Sequence, residues 1–242
     1  MTKTIFSFIV AALASSAALI TPAPAEAKPV VLELFTSQGC SSCPPADKLL
    51  AEVAGQPGVV AISRPITYWD RLGWKDTLAR PENTERQRDY RKLSGRPGVY
   101  TPQIVIDGDW EGNGSNRRKV TSEIRKTLTE PTFAEVSFTR ASDGRFAVMV
   151  AGATADAVVT LLALESNPQV AIARGENRGR EITYTNVVAA EHDIGDFDGG
   201  STRYVLDDAE LAALPGDRLA VVVQEKGLGQ VLGAAIVERA GL

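Results

Sequence analysis

The first clear pattern in the chain is Val30-Val31-Leu32-Glu33-Leu34-Phe35, almost unbroken in its hydrophobicity and bounded by Pro29 and Thr36-Ser37. A short apolar run without alternation predicts a strand covered on both faces. Over residues 46–54, Leu49, Leu50 and Val53 recur at helical spacing and Gly55 closes the run, which predicts a helix. Residues 59–63 read as a second strand and 82–93 and 116–129 as helices, while 104–106 and Trp110 form a hairpin turning at Asp107-Gly108.

The texture changes at Pro131. Beyond it the apolar residues come in short runs (133–139, 145–150, 158–164, 170–173, 182–188, 202–206, 219–224 and 230–237) separated by Gly, Asn and Asp. These read as strands with few helices between them, the pattern of a β-sandwich. Asp193, Asp196 and Asp198 beside His192 read as a solvated acidic loop, with a weak cation site as the alternative. The β-α-β-α-β-β-α order of residues 29–130 is that of a thioredoxin fold. The expected fold class is therefore an α/β thioredoxin-like domain at 29–130, followed by an all-β, sandwich-like C-terminal domain at 132–242.

Ahead of both lies Met1-Thr2-Lys3, an apolar stretch over residues 5–20, and the small-residue exits Ala23-Pro24-Ala25 and Ala25-Glu26-Ala27. That is the pattern of a secretory signal cleaved within residues 1–25, too rich in Ser and Ala and too short for a spanning helix. It predicts a periplasmic or secreted protein with no membrane association after cleavage. Loss of Lys3 takes the net charge from −4 to −5, which leaves no electrostatic case for nucleic acid. The densest basic stretch, Arg86, Arg88, Arg91 and Lys92, alternates with Glu82, Glu85 and Asp89 and reads as a solvated helix face.

The candidate chemistry lies in Cys40-Ser41-Ser42-Cys43, the chain's two cysteines, at the junction of the first strand and helix. A helix N-terminus carries a positive dipole end that stabilises a thiolate, so this placement is a redox signature. Pro44 and Pro45 lack an N–H and are tolerated in a first helical turn, so the helix is expected to begin near Ser42 or Cys43. Cys40 then stands just ahead of the helix, exposed, as the attacking nucleophile, and Cys43 as the resolving thiol. No cofactor is expected beyond this redox-active disulfide, and no resident metal. A purely structural bridge would stabilise little, because so short a loop barely constrains the unfolded chain. Zinc needs four ligands and the chain has one histidine. Copper(I), a soft ion, could sit between two thiolates and stands as an alternative, as does an interaction module with an idle disulfide.

Other candidates surround the motif. Glu33 is a carboxylate in an apolar run, readable as a proton relay to the resolving cysteine with its pKa raised by burial, or as a solvated strand end. Thr101-Pro102 precedes the 104–106 strand, where a thioredoxin fold places a cis-proline facing the cysteines and backbone able to pair with an extended substrate. Tyr68, Trp69 and Trp74 lie on a long connection, positioned to wall a substrate groove or to pack that connection onto the core. The expected partners are protein thiols or disulfides of the periplasm and a redox partner that the sequence does not identify.

These residues also carry a resemblance. Leu34-Phe35-Thr36-Ser37-Gln38-Gly39-Cys40-Ser41-Ser42-Cys43-Pro44-Pro45-Ala46-Asp47, Tyr68-Trp69-Asp70, Leu72-Gly73-Trp74-Lys75-Asp76, Val99-Tyr100-Thr101-Pro102-Gln103, Gly175-Glu176-Asn177 and Asn186-Val187-Val188 resemble a family of secreted bacterial thioredoxin-like proteins, the domain-of-unknown-function family 1223. The resemblance implies a thioredoxin-like fold with a β-rich C-terminal part. The chain departs from that family at Pro65-Ile66-Thr67, and at Tyr184 and Ala189, where relatives tend to carry histidine or other charged groups.

Overall fold

The computed structural model describes residues 29–241 except Ser142 and Thr154, so the expected signal segment at 1–25 lies outside the described residues. The apolar run forms β1 (Val30–Thr36), buried along its whole length. It lies between β2 (Val59–Pro65), to which it runs parallel, and antiparallel β3 (Gln103–Ile106), whose far edge carries β4 (Trp110–Asn113). The helices are α1 (Pro44–Ala54), α2 (Pro81–Leu93) and α3 (Arg117–Thr127). Successive side chains of a strand point to opposite faces. Leu32 and Leu34 thus meet Leu49 and Leu50 of α1 and Val120 and Ile124 of α3. Phe35 faces the other way, packing with Ile66 and edge-on to Tyr90 of α2 at 6.1 Å.

The second half adds β5 (Ala134–Arg140), β6 (Phe146–Gly152), β7 (Ala157–Glu165), β8 (Gln169–Ala171), β9 (Glu181–Thr183), β10 (Val187–Phe197), β11 (Gly200–Val205), α4 (Asp208–Ala213), β12 (Arg218–Glu225) and β13 (Val231–Glu238). The molecule is mixed α/β and dominated by one eight-stranded sheet in the order β13-β12-β7-β10-β2-β1-β3-β4. A separate C-terminal sandwich was the expectation, and the sheet corrects it. β10 runs parallel to β2 with Val187 opposite Ser63, the Ser63 amide donating to Asn186 O at 3.1 Å and Asn186 Nδ2 to Ala61 O at 2.8 Å. The three-stranded sheet β11-β6-β5 does pack on β7 and β12, Phe146 and Val148 meeting Val159, Leu161 and Val221. One layer of that sandwich is therefore the continuation of the N-terminal sheet.

Two further expectations change. Of the acids beside His192, Asp193 and Asp196 are strand and Asp198 follows it, since β10 runs to Phe197 against β7 with bulges between Val188 and Ala190 and between Asp193 and Gly195. Arg86 leaves the solvated face of α2 and turns inward toward Glu33, because a buried carboxylate requires a cation. Among the described residues no helix is long and apolar enough to cross a membrane.

Candidate functional site

β1 ends at Thr36, and a tight turn delivers Cys40, whose amide donates to Ser37 O at 3.1 Å. The Cys43 amide then donates to Cys40 O at 3.2 Å, and Pro44 and Pro45 occupy the first helical turn as expected. Cys40 and Cys43 form a disulfide with their Cα atoms 5.4 Å apart. The Thr101–Pro102 bond is cis. Gly114 shows how close this segment comes to the motif: a Cβ there would meet Leu34 Cδ1 at 2.7 Å, Ala46 Cβ at 3.1 Å and Pro102 Cβ at 3.6 Å. Ser115 Oγ donates to Ser42 O at 3.2 Å, tying the chain after β4 to the motif.

Trp69 Nε1 donates to Thr101 Oγ1 at 2.8 Å and Trp74 Nε1 to Gln38 Oε1 at 2.8 Å, so both indoles are fastened around the Ser37–Cys40 turn. Tyr68 packs with Phe35, Ile66 and Tyr90, and burial pushes its hydroxyl up to about 12.

The expected exposure of Cys40 is overturned: both cysteines are 0 % exposed, although Ser41 and Ser42 between them face solvent. The loop joining β8 to β9 lies over the motif. Asn177 Nδ2 donates to Gln38 O at 3.0 Å and Cys40 O at 2.8 Å, and Glu176 Oε2 accepts from the Ser41 amide at 3.1 Å. Gly175, at φ +77°, sets the loop tip against Trp74, a Cβ there falling 3.4 Å from Trp74 Cβ. These covering residues lie more than 130 positions beyond the motif, so no local pattern announces them.

Glu33 is also corrected. It is buried, but strand alternation turns it away from α1 toward Arg64 Nε at 2.5 Å, Arg86 Nε at 2.7 Å and the donating hydroxyl of Tyr90 at 2.6 Å. Burial alone would raise its pKa, yet the Arg86 and Arg64 charges prevail and hold it at about 2. Arg64 and Arg86 reach on to Glu191 of β10, which closes a buried cluster of two acids and two guanidiniums.

The carboxylic acid on the cysteine side is one that sequence reasoning passed over. Asp47 is buried one turn after Cys43, its Oδ1 accepting from Thr36 Oγ1 at 2.7 Å while Oδ2 has no hydrogen-bond partner among the described residues. Burial raises it from 3.8 to about 7, the Thr36 bond opposing the rise and the charge of Asp76 adding to it. Asp76 accepts from the Gln38 amide at 2.7 Å, and its own pKa is raised by burial. The readable signal was an acid on the apolar stripe formed by Ala46, Leu50 and Val53. Among the described residues no group of three or more His, Cys, Asp or Glu side chains gathers as a metal-ligand set.

Comparison with other proteins bears on both halves. A 37-residue stretch is 46% identical to a probable thioredoxin of Archaeoglobus fulgidus, spanning 15% of this chain and 41% of that protein. The fold is similar to a crystal structure of an Agrobacterium tumefaciens protein, with a TM-score of 0.77, 31% identity, and coverage of 88% of this chain and 96% of that one. HBP35 of Porphyromonas gingivalis shares the fold at a TM-score of 0.59 and 15% identity, over 88% of this chain and 76% of that one. The model of a protein family of unknown function, DUF1223, matches residues 31–224. By that match, which runs from β1 into β12, the chain belongs to the DUF1223 family.

Proposed function

We propose that this chain is an exported thiol–disulfide exchange protein, with residues 29–130 as a thioredoxin-like unit, Cys40 as the attacking sulfur and Cys43 as the resolving one. The observation that carries the reading is the Cys40–Cys43 disulfide at the start of α1, with Ala46 of that helix and Pro102 both lying within 4 Å of where a Cβ on Gly114 would stand. The short match to a probable thioredoxin supports it. The signal-like residues 1–25 support export to a compartment where disulfides persist.

In the reducing direction the Cys40 thiolate attacks one sulfur of a protein disulfide and expels the other as a thiolate. The Cys43 thiolate then attacks Cys40 Sγ, the second substrate thiolate leaves, and the Cys40–Cys43 bond forms. Two electrons have passed from the dithiol to the substrate. Because Cys40 is sealed, the β8–β9 loop must swing off Gln38, Cys40 and Ser41 before an extended segment can lie against Thr101 and the two indoles.

Cys43→Ser is expected to accumulate mixed disulfides at Cys40 in the periplasm, and Cys40→Ser to lose insulin reduction and dithiol oxidation. Full activity in Cys40→Ser, or no trapped species in Cys43→Ser, would overturn the assignment.

A further inference from the structure

The loop between β8 and β9 covers the motif by occupying its backbone groups. Asn177 Nδ2 satisfies the Gln38 and Cys40 carbonyls, and Glu176 Oε2 accepts from the Ser41 amide. The Ser41 hydroxyl and amide hold the Glu176 carboxyl below the usual carboxylate range, although that side chain stands in solvent. When the loop lifts, two acceptors and one donor are left for whatever lies against the motif. An extended substrate brings N–H groups for the two carbonyls. The Ser41 amide then needs an oxygen in place of the one that Glu176 withdraws.

The charges around this opening favour a carboxylate over a carbonyl in that place. Arg174 and Arg178 flank Gly175-Glu176-Asn177 on the loop, and both are exposed. On the facing side Gly175 lies against Trp74, and Arg71 and Lys75 of the same connection are exposed as well. None of these four cations has a carboxylate partner among the described residues. The acids beside them are engaged with backbone. Asp76 is buried and accepts from the Gln38 and Leu78 amides, and Asp70 accepts from the Asp76 amide. The chain as a whole is acidic, with a net charge of −4, so the unpaired cations at its disulfide are a local feature. A surface of one sign draws in and orients groups of the other.

We propose that the substrates of this site carry an acidic side chain beside their reactive cysteine, whose carboxylate takes the Ser41 amide from Glu176 while Arg71, Lys75, Arg174 and Arg178 draw it in. This rests on the exchange activity proposed above. Glu176 is the molecule's own copy of that side chain, and it holds the loop closed until a substrate acid competes for the same donor.

The test uses the intact reduced protein and three short peptides, each with one cysteine activated as a 2-pyridyl disulfide and flanked by aspartates, serines or lysines. Attack by Cys40 releases thiopyridone. Each rate is divided by that of the same peptide with 2-mercaptoethanol, which removes differences in intrinsic reactivity. At low salt the aspartate peptide is expected to react about tenfold faster than the serine peptide, and the lysine peptide more slowly than either. In about 1 M sodium chloride, where the screening length falls to about 3 Å, the three rates should converge. Arg174→Gln combined with Arg178→Gln, and Lys75→Gln by itself, should each lower the aspartate-to-serine ratio. Glu176→Gln, which removes the competing charge, should raise it. Equal normalised rates in the wild type at low salt, or a preference that persists through these variants, overturn the substrate class and leave the exchange reading standing. No thiopyridone release from any peptide overturns both.

Discussion

At the scale of single residues, β1 separates two carboxyls whose ionisation affects the fold with opposite sign. Glu33 is held from 4.5 down to about 2 by Arg86 and Arg64 against the effect of burial. Its contribution to stability, roughly 3 kcal/mol, is complete above pH 4.5 and disappears as pH falls through 2. Glu33→Gln leaves two guanidiniums facing one remaining acid, so at pH 7 it should lower the unfolding free energy by about 3–5 kcal/mol in urea titrations. Asp47 is raised from 3.8 to about 7, so the stability tied to its protonated form is complete below pH 3.8 and lost as pH rises through 7. Asp47→Asn should match the wild type near pH 4 and exceed it at pH 8, on the oxidised protein by the same titration. Equal urea midpoints at pH 8 would mean that the carboxyl is already compensated. Glu33 was visible in the sequence as a lone acid in an apolar run, but which face it took was not. That is decided by the phase of the strand and by Arg64, Arg86 and Glu191, which approach from three separate elements.

At the scale of elements, the two prolines and the helix start could be placed from the sequence because each follows from local backbone chemistry, whereas the cis-proline was expected only from the thioredoxin-like order of the elements around it. The cover over Cys40 could not. Gly175-Glu176-Asn177 stood out as a segment shared with relatives, but its contact with the motif spans 135 positions or more and depends on how β8 and β9 are carried by the sheet. The loop is braced from within, Ile172 N donating to Arg180 O at 2.9 Å and Arg178 N to Gly175 O at 3.2 Å, so it moves as a unit if it moves. Its hold on the motif comes largely from the two bonds of one amide. Each is worth about 0.5–1.5 kcal/mol net, so Asn177→Ala should speed reduction of the Cys40–Cys43 disulfide by dithiothreitol about tenfold. Trp69 and Trp74, fastened around the same turn, offer a fluorescence signal for the rate. An unchanged rate would mean that opening of this loop does not limit access.

At the scale of the whole molecule, the change of texture at Pro131 separates two kinds of sequence but not two sheets. Pairing between β2 and β10 is a long-range choice that apolar runs cannot express, since a central strand and a sandwich strand share the same composition. Its consequence is shared burial. Val31, Val60 and Ile62 from the first half pack with Leu162, Leu164, Val188 and Val222 from the second, and the Glu33–Arg64–Arg86 cluster ends on Glu191. A fragment ending at residue 130 would expose that apolar face and the open edge of β2, and would leave Arg64 and Arg86 without Glu191. Residues 29–130 alone are therefore expected not to reach a stable fold, and the intact chain to unfold as one cooperative unit. All three tryptophans, Trp69, Trp74 and Trp110, lie in the first half, so their fluorescence reports that half, while far-UV circular dichroism reports strands from both. The two signals should share one urea midpoint. Two separated midpoints, or a monomeric 29–130 fragment with a cooperative transition of its own, would show that the common sheet does not join the halves energetically.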